Sequence, residues 1–313
     1  MRGGFFSAFL NISLPPGPRG RIRNILLYAL PPHLFVNPKT FLITGCSSGL
    51  GLALAQAALA GGHRVIATAR DRQSIAALQE EGSCHLEALD ITDAAQVGSV
   101  VERAQAVWGS LDVLVNNAGY GLLGAIEECG DEQIRRNVET NFFGPLNMIR
   151  AVLPIMRGQG SGHIVNISAA AAISNYAGLG IYGAAKAALE LMSESLRAEL
   201  APLGIRVMLV QPGPFRTDFI ARGMEKAAEH IAAYDATAGR FKRTIESLDG
   251  KQPGDPARAA TAILAAIESD KPPFRLVLGK YANEKVRRTA AGIEAERAAW
   301  EHLGLTADFP PAS

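Results

Sequence analysis

Residues 40–51 read TFLITGCSSGLG, and this stretch decides the fold of the chain. Its first five residues predict a buried strand, and glycines follow at positions 45, 49 and 51. A glycine-rich turn that ends a strand and opens a helix presents backbone N–H groups to the phosphates of a dinucleotide. The stretch therefore predicts the beginning of a nucleotide-binding α/β domain.

Strands and helices alternate along the rest of the chain. Further strands are predicted at 64–68, 85–89, 113–116, 163–167, 206–211 and 275–278, and helices at 49–60, 94–108, 131–157, 181–200, 256–267 and 282–301. Short β-rich segments separated by helices require a parallel sheet covered on both faces. We predict one doubly wound α/β domain with a Rossmann fold over 39–285. A substrate lid is predicted at 213–252, and a C-terminal helix and tail over 286–313.

Residues 1–38 are predicted to be an extension outside this fold. They are rich in Pro, Gly and Arg, and the first acidic residue of the chain is Asp71. A basic, acid-free beginning is typical of an organellar targeting peptide, and a short membrane-associating arm is a second interpretation. The proline breaks and the lack of helical periodicity favour a third, in which the native start lies near Val36.

The composition limits the classes of function. The chain has 313 residues, is 48% hydrophobic and 19% charged, and carries a formal net charge of +1, which gives no reason to expect nucleic acid as a partner. Cys46, Cys84 and Cys129 lack disulfide or metal-ligand spacing, which predicts free thiols, a cytoplasmic location and no metal site. No apolar run approaches the roughly 20 residues that a membrane-spanning helix needs.

A second motif lies downstream, at Tyr182-Gly183-Ala184-Ala185-Lys186. A Tyr and a Lys at i and i+4 share one helical face, so the ammonium can lower the pKa of the phenol towards a range useful for proton transfer. YxxxK alone occurs by chance in many helices. Together with the upstream glycines, it indicates a redox cofactor and acid–base chemistry at a carbonyl or alcohol.

These two motifs, with Asn116-Asn117-Ala118-Gly119, resemble the short-chain dehydrogenase/reductase family in its compact single-domain branch. The resemblance is strong over about 40–217. It implies hydride exchange between a nicotinamide cofactor and a ketone, aldehyde or alcohol. It also implies a homodimer or homotetramer formed through the helices that begin near 131 and 181.

The resemblance also implies which residues act. Tyr182 would be the acid–base group, Lys186 would lower its pKa and bind the nicotinamide ribose, and Asn141 would hold a relay water. The residues implied for cofactor binding are Gly45, Ser47, Ser48, Gly49, Leu50, Gly51, Arg70, Asp90, Asn116, Ala118, Gly119, Tyr182, Lys186, Pro212, Gly213 and Thr217. An alternative for Asn141 is a structural role, in which its side chain satisfies backbone groups where a helix bends. Asn116 could likewise tie adjacent strands together.

The end of the second strand indicates which cofactor is preferred. An acidic residue there suits the 2′-hydroxyl of NAD, whereas a cation suits the 2′-phosphate of NADP. This chain reads Thr68-Ala69-Arg70, which predicts NADP(H). The alternative is that Arg70 is an exposed surface charge.

One departure from the family pattern concerns the substrate oxygen. The family serine that normally precedes the tyrosine by thirteen residues is replaced here by Ala169. Neighbouring strand residues face opposite sides, so Ser168 can take over only through a local shift or bulge. Three outcomes stay open: a slow enzyme, an enzyme rescued by Ser168 or Ser174, or an NADPH-binding sensor with little catalysis. We therefore list Ser168 with Tyr182, Lys186 and Asn141 as candidate catalytic residues.

The substrate is predicted to be an apolar carbonyl compound or alcohol. The residues expected near the pocket mouth are mostly apolar or aromatic: Tyr120, Leu122, Ile173, Tyr176, Phe215, Phe219 and Ile220. Many of them could equally be core. The cationic lid residues Arg222, Lys226, His230 and 240–243 fit either a solvated face or an anionic substrate tail. A nucleotide-sugar epimerase on the same fold is disfavoured by the glycine spacing.

Overall fold

The computed structural model describes residues 38–309, so the predicted extension at 1–38 lies almost wholly outside the described residues. Seven strands of this part form one parallel sheet, and two more form a small second sheet. In chain order the strands are β1 (Thr40–Ile43), β2 (Arg64–Ala69), β3 (Cys84–Ala88), β4 (Val113–Asn116), β5 (Gly121–Leu123), β6 (Gly162–Ile167), β7 (Ile205–Pro212), β8 (Met224–Lys226) and β9 (Arg275–Leu278). The helices are α1 (Gly49–Ala60), α2 (Ala94–Trp108), α3 (Asp131–Val138), α4 (Gly144–Gln159), α5 (Ala170–Ile173), α6 (Gly180–Leu200), α7 (Phe219–Arg222), α8 (Arg240–Ser247), α9 (Pro256–Glu268) and α10 (Lys280–Gly304).

The main sheet has the strand order β3-β2-β1-β4-β6-β7-β9. In its centre Ile43 of β1 lies opposite Ala67 of β2 and Val115 of β4. The strand order therefore reverses direction beside β1, and ligands of such sheets bind at the carboxyl ends of the strands at this point. The glycine turn after β1 and the Asn-Asn-Ala-Gly segment at the end of β4 both lie there.

Two apolar cores cover the two faces of this sheet. Phe41 and Ile43 pack with Leu54 of α1 and Ile263 of α9, whereas Leu42 packs on the other face with residues of α2, α4 and α6. This alternation follows from the period of two in a strand. The predicted doubly wound α/β sheet is confirmed.

The predicted helix at 131–157 is interrupted in the structure. A π-helical segment, Glu139–Phe143, separates α3 from α4. Within the predicted lid, the short strand β8 pairs in parallel with β5. No helix within 38–309 is both long enough and apolar enough to cross a membrane.

Candidate active site

The glycine turn brings three loops together at the carboxyl edge of the sheet. Gly45 and Gly49 have φ values of +73° and +61°, a conformation that non-glycine residues rarely adopt. A Cβ at Gly45 would lie 2.9 Å from Ala118 Cα, and one at Gly49 would lie 3.4 Å from Thr217 Cβ. The loops after β1, β4 and β7 are therefore in contact, and predicted cofactor residues from all three meet here.

The side chains of Asn116 and Asn117 link the central strands through hydrogen bonds. The Asn117 side-chain amide donates to the carbonyl oxygens of Thr44 (2.9 Å) and Gly45 (3.0 Å). Asn116 Nδ2 donates to Asn166 Oδ1 (2.8 Å), and Asn166 Nδ2 donates to Ser193 Oγ (2.8 Å). Asn116 thus has the strand-tying role that the sequence left open as an alternative.

Other predicted cofactor residues lie along the same edge. Arg70 follows β2, is exposed, and forms no ion pair with any residue between 38 and 309. Asp90 follows β3, and its Oδ1 accepts from the Thr92 backbone N–H (2.9 Å) and hydroxyl (2.7 Å). Pro212 ends β7, and the N–H of Gly213 donates to the Leu278 carbonyl (3.0 Å).

Tyr182 lies in an apolar cluster on α6. Only 7% of it is exposed, and it packs with Leu123 and Leu179 and with the partly buried Phe219 of the lid. The Tyr182 and Phe219 ring centroids are 6.0 Å apart. Burial raises the pKa of Tyr182, opposite to the lowering predicted from Lys186, because desolvation of the phenol dominates.

Lys186 lies one turn further along α6, with 3% of it exposed. Its ammonium donates to the Ile167 carbonyl (2.9 Å). Burial lowers the pKa of Lys186 to about 8, and the nearby Glu190 carboxylate opposes this shift. A Cβ at Gly119 would lie 3.3 Å from Lys186 Nζ and 2.5 Å from Asn141 Oδ1, so these three residues converge.

Asn141 lies within the π-helical segment between α3 and α4. Its Nδ2 donates to the carbonyl oxygens of Tyr120 (2.9 Å) and Asn137 (2.9 Å). Its buried Oδ1 has no hydrogen-bond partner in the described part of the chain. π-Helical turns often occur at functional sites, and here the turn leaves one buried acceptor facing Lys186 and Gly119.

Ser168, Ala169 and Ser174 have three different surroundings. The buried Ser168 hydroxyl donates to Glu190 Oε1 (2.5 Å), and Gln211 Nε2 donates to the same carboxylate (2.9 Å). Ala169 packs against the cluster around Tyr182. Ser174 lines a separate cavity beside α10. Sequence reasoning missed Glu190, although its position four residues after Lys186 on a predicted helix was a usable signal.

The residues predicted for the pocket mouth lie in different parts of the structure, and so do those of the lid. Tyr176 and Phe219 pack with the Tyr182 cluster, whereas Leu122 is fully buried and Phe215 packs against the core shared by α1 and α9. Four basic residues of the lid have acidic or carbonyl partners. These pairs are Lys226 with Glu246 (2.8 Å), Arg222 with Asp218, Arg243 with the Asp235 carbonyl (3.1 Å), and His230 with Asp235 (3.6 Å).

The side chains at this edge fit a nicotinamide dinucleotide. Two glycines with positive φ face the Thr217 and Ala118 loops, Arg70 supplies an unpaired cation, and Asn141 Oδ1 is a buried acceptor beside the Lys186 ammonium. Within residues 38–309, no three His, Cys, Asp or Glu side chains are grouped as a metal site would require.

Comparisons with known proteins agree with this fold. The family model described as short chain dehydrogenase matches residues 39–236. A 3-ketodihydrosphingosine reductase from Bacteroides thetaiotaomicron is 35% identical over 246 residues, covering 78% of this chain and 89% of the relative. A short-chain dehydrogenase structure from Streptomyces avermitilis is 40% identical, with a TM-score of 0.82, and the match covers 87% of this chain and all of that one.

A second solved structure carries a cofactor. A short-chain dehydrogenase from Burkholderia cenocepacia J2315 in complex with NADP is 29% identical, with a TM-score of 0.66, and the match covers 84% of this chain and 97% of that one. The family model spans more than half of the chain, and the relatives match along most of their own length. The chain therefore belongs to the short-chain dehydrogenase family of oxidoreductases.

Proposed function

We propose that this protein is an NADP(H)-dependent oxidoreductase of apolar ketones or aldehydes and the corresponding alcohols. The observation that carries the proposal is the convergence of Lys186, Asn141 and Gly119 one helical turn from Tyr182, at the carboxyl edge of the sheet. A bound nicotinamide dinucleotide supplies or accepts the hydride.

The side chains of the chain would handle the proton. Tyr182 holds a phenolic proton whose raised pKa keeps it in place until a more basic alkoxide develops at the substrate oxygen. Lys186, held by the Ile167 carbonyl, would bind ribose hydroxyls and would replace the proton through a water that lies beside Asn141 Oδ1 and donates to it. Ser168 donates to Glu190 and would have to break this hydrogen bond before it could donate to the substrate.

The cofactor preference rests on Arg70. It follows β2 directly and forms no ion pair elsewhere in the described residues, so its guanidinium is free for a 2′-phosphate. Ala69 at the end of the strand provides no carboxylate that would repel this phosphate.

The apolar substrate class rests on the walls around Tyr182. Leu123, Leu179, Phe219 and Met224 surround the phenol, and Ala169 stands where the family has a serine. The relative from Bacteroides thetaiotaomicron is named for the reduction of a keto compound, which supports a carbonyl substrate for this chain as well.

We also infer self-association through the helices around α4 and α6. Phe143 and Leu191, which belong to these helices or lie directly before them, are exposed large apolar side chains. A cytoplasmic location is supported by the free thiols of Cys46, Cys84 and Cys129, since such thiols persist in a reducing compartment.

The test is a panel of carbonyl compounds and alcohols assayed at 340 nm with NADPH and NADH. We expect turnover with NADPH that Tyr182→Phe lowers by about 10²–10⁴-fold, since it removes the proton donor but little volume. Tyr234→Phe removes a lid hydroxyl bonded to Glu127 and should leave turnover unchanged. If nucleotide binds but no compound is turned over, the protein is instead the NADPH sensor suggested by Ala169.

A further inference from the structure

A cavity of about 320 Å³ lies between residues 174–176 and the first half of α10. Every residue of its lining carries a polar group, and among them are two cations and no carboxylate. The lining residues are Ser174, Asn175, Tyr176, Tyr281, Lys285, Arg288 and Thr289. In the lid, by contrast, Arg222, Lys226 and Arg243 are each paired with a carboxylate or carbonyl oxygen.

Lys285 is the most informative residue of the cavity. Only 4% of it is exposed, and its ammonium has no hydrogen-bond acceptor among residues 38–309. Its Nζ lies 3.4 Å from the centroid of the Tyr176 ring, and this cation–π contact replaces only part of the lost hydration. Burial and the neighbouring Arg288 lower the pKa of Lys285 to about 8, so the ammonium still predominates at neutral pH.

The two tyrosines of the cavity add a further donor. The hydroxyls of Tyr176 and Tyr281 are 2.6 Å apart, and only one of their two protons can lie between them. The second O–H is therefore available to an acceptor in the cavity. Lys285, Arg288 and this hydroxyl are all donors, so an anion would satisfy them together.

Tyr176 also connects this cavity to the candidate active site. Its ring stacks on Phe241 of the lid, with centroids 5.0 Å apart, and packs against the apolar cluster that contains Tyr182. The apolar wall beside the reactive phenol and the cationic cavity thus share one side chain.

We propose that this cavity binds a carboxylate at the far end of an apolar carbonyl substrate, with Lys285 and Arg288 as its ligands. The proposal rests on the proposed function of the Tyr182 site and narrows its substrate class to keto acids or aldehyde acids. An anionic tail is thereby bound by α10 and not by the lid cations considered from the sequence.

The experiment compares a medium-chain keto acid with its methyl ester, which has the same carbonyl and chain but no charge. We expect the protein to prefer the acid, and Lys285→Met to reduce this preference by about 10- to 100-fold through KM with little change in kcat, because a charge-assisted hydrogen bond is lost. Lys280→Met removes the same charge from the same helix at a side chain that is 90% exposed, and should change nothing. Lys285→Arg should retain most of the preference.

A binding measurement separates this proposal from the proposed function. Decanoate, which has no carbonyl to reduce, should raise the melting temperature of the unaltered protein but not that of Lys285→Met. If acid and ester are reduced equally well and decanoate has no effect, the subsite is refuted while the oxidoreductase stands. If no carbonyl compound is reduced, the change in melting temperature with decanoate still tests whether the cavity binds a carboxylate. Should Lys285→Met fail to fold, the exposed Arg288→Gln takes its place in both measurements.

Discussion

At the residue scale, Tyr182 and Lys186 share a helix face but have different neighbours. The phenol is surrounded by apolar side chains, whereas the ammonium is held by the Ile167 carbonyl. Burial favours the neutral form of both groups, raising the pKa of Tyr182 and lowering that of Lys186 to about 8. Glu190 opposes the second shift and accepts from Ser168, so one carboxylate links the lysine to the segment that carries Ala169.

Arg70 gives the sharpest residue-scale prediction. Arg70→Ala should raise KM for NADPH by about 10- to 100-fold and KM for NADH far less, because only NADPH has the 2′-phosphate. Steady-state kinetics with both cofactors measure the difference. Arg64→Ala, at the opposite end of β2, is the matched control and should leave both constants unchanged. Equal losses with both cofactors would contradict the assignment.

The residues of the site differ in how readily the sequence predicts them. Gly45, Tyr182 and Lys186 follow from local spacing, because turn and helix geometry are set within a few residues. The bond between Ser168 and Glu190 joins residues 22 positions apart and depends on how β6 meets α6. The cavity around Lys285 brings together segments more than 100 residues apart, so no local pattern indicated it.

At the element scale, the bounds of most strands and helices were predicted to within two residues. β4, α1 and α2 agree at both ends, because Gly, Asp, Ser and Asn mark their boundaries. The π-helical turn at Glu139–Phe143 was not predicted, since one extra residue hardly changes an apolar pattern. β5 and β8, with three residues each, are too short to show a period of two.

The beginning of α1 provides an element-scale prediction. Gly49→Ala places a side chain at a φ of +61° and against Thr217, so it should weaken cofactor binding and destabilise the fold by about 1–2 kcal/mol. Gly98→Ala lies within α2, where a Cβ would meet nothing within 4 Å, and should stabilise the fold by about 0.5–1 kcal/mol. Denaturant unfolding and NADPH titration of both variants measure the contrast. If both variants had the same stability and the same affinity for NADPH, the role of the glycine turn in cofactor binding would be refuted.

At the scale of the whole molecule, the alternation of strands and helices predicted the doubly wound parallel sheet, whereas its strand order comes from the structure. Parallel strands joined by helices can be ordered in only a few ways within a sheet. In such sheets the glycine turn that binds phosphate lies beside the central strand. The small second sheet, which fastens the lid to the segment after β4, involves residues about 100 positions apart and had no signal in the sequence.

His163 in β6 makes the stability of the whole molecule depend on pH. Burial, with Lys39 and Arg206 nearby, lowers its pKa to about 4 from 6.5. Below pH 6.5 the histidine binds a proton in the unfolded chain but stays neutral in the folded chain. The free energy of unfolding should therefore fall by roughly 3 kcal/mol as the pH drops to 4. His163→Leu should flatten this part of the stability curve measured by denaturant unfolding. His302→Leu, at an exposed position, should leave the curve as it is.

The π-helical turn has a consequence for how this chain tolerates insertions and deletions. Each residue of an α-helix advances the chain by about 100° around the axis. Deleting one residue between 139 and 143 would rotate one side of the turn relative to the other by this angle. Either the Asn141 amide or the buried side chains of Met148 and Ile149 would then leave their positions. The number of residues in this turn is therefore as tightly constrained as their identity, and engineered changes of length belong elsewhere in the chain.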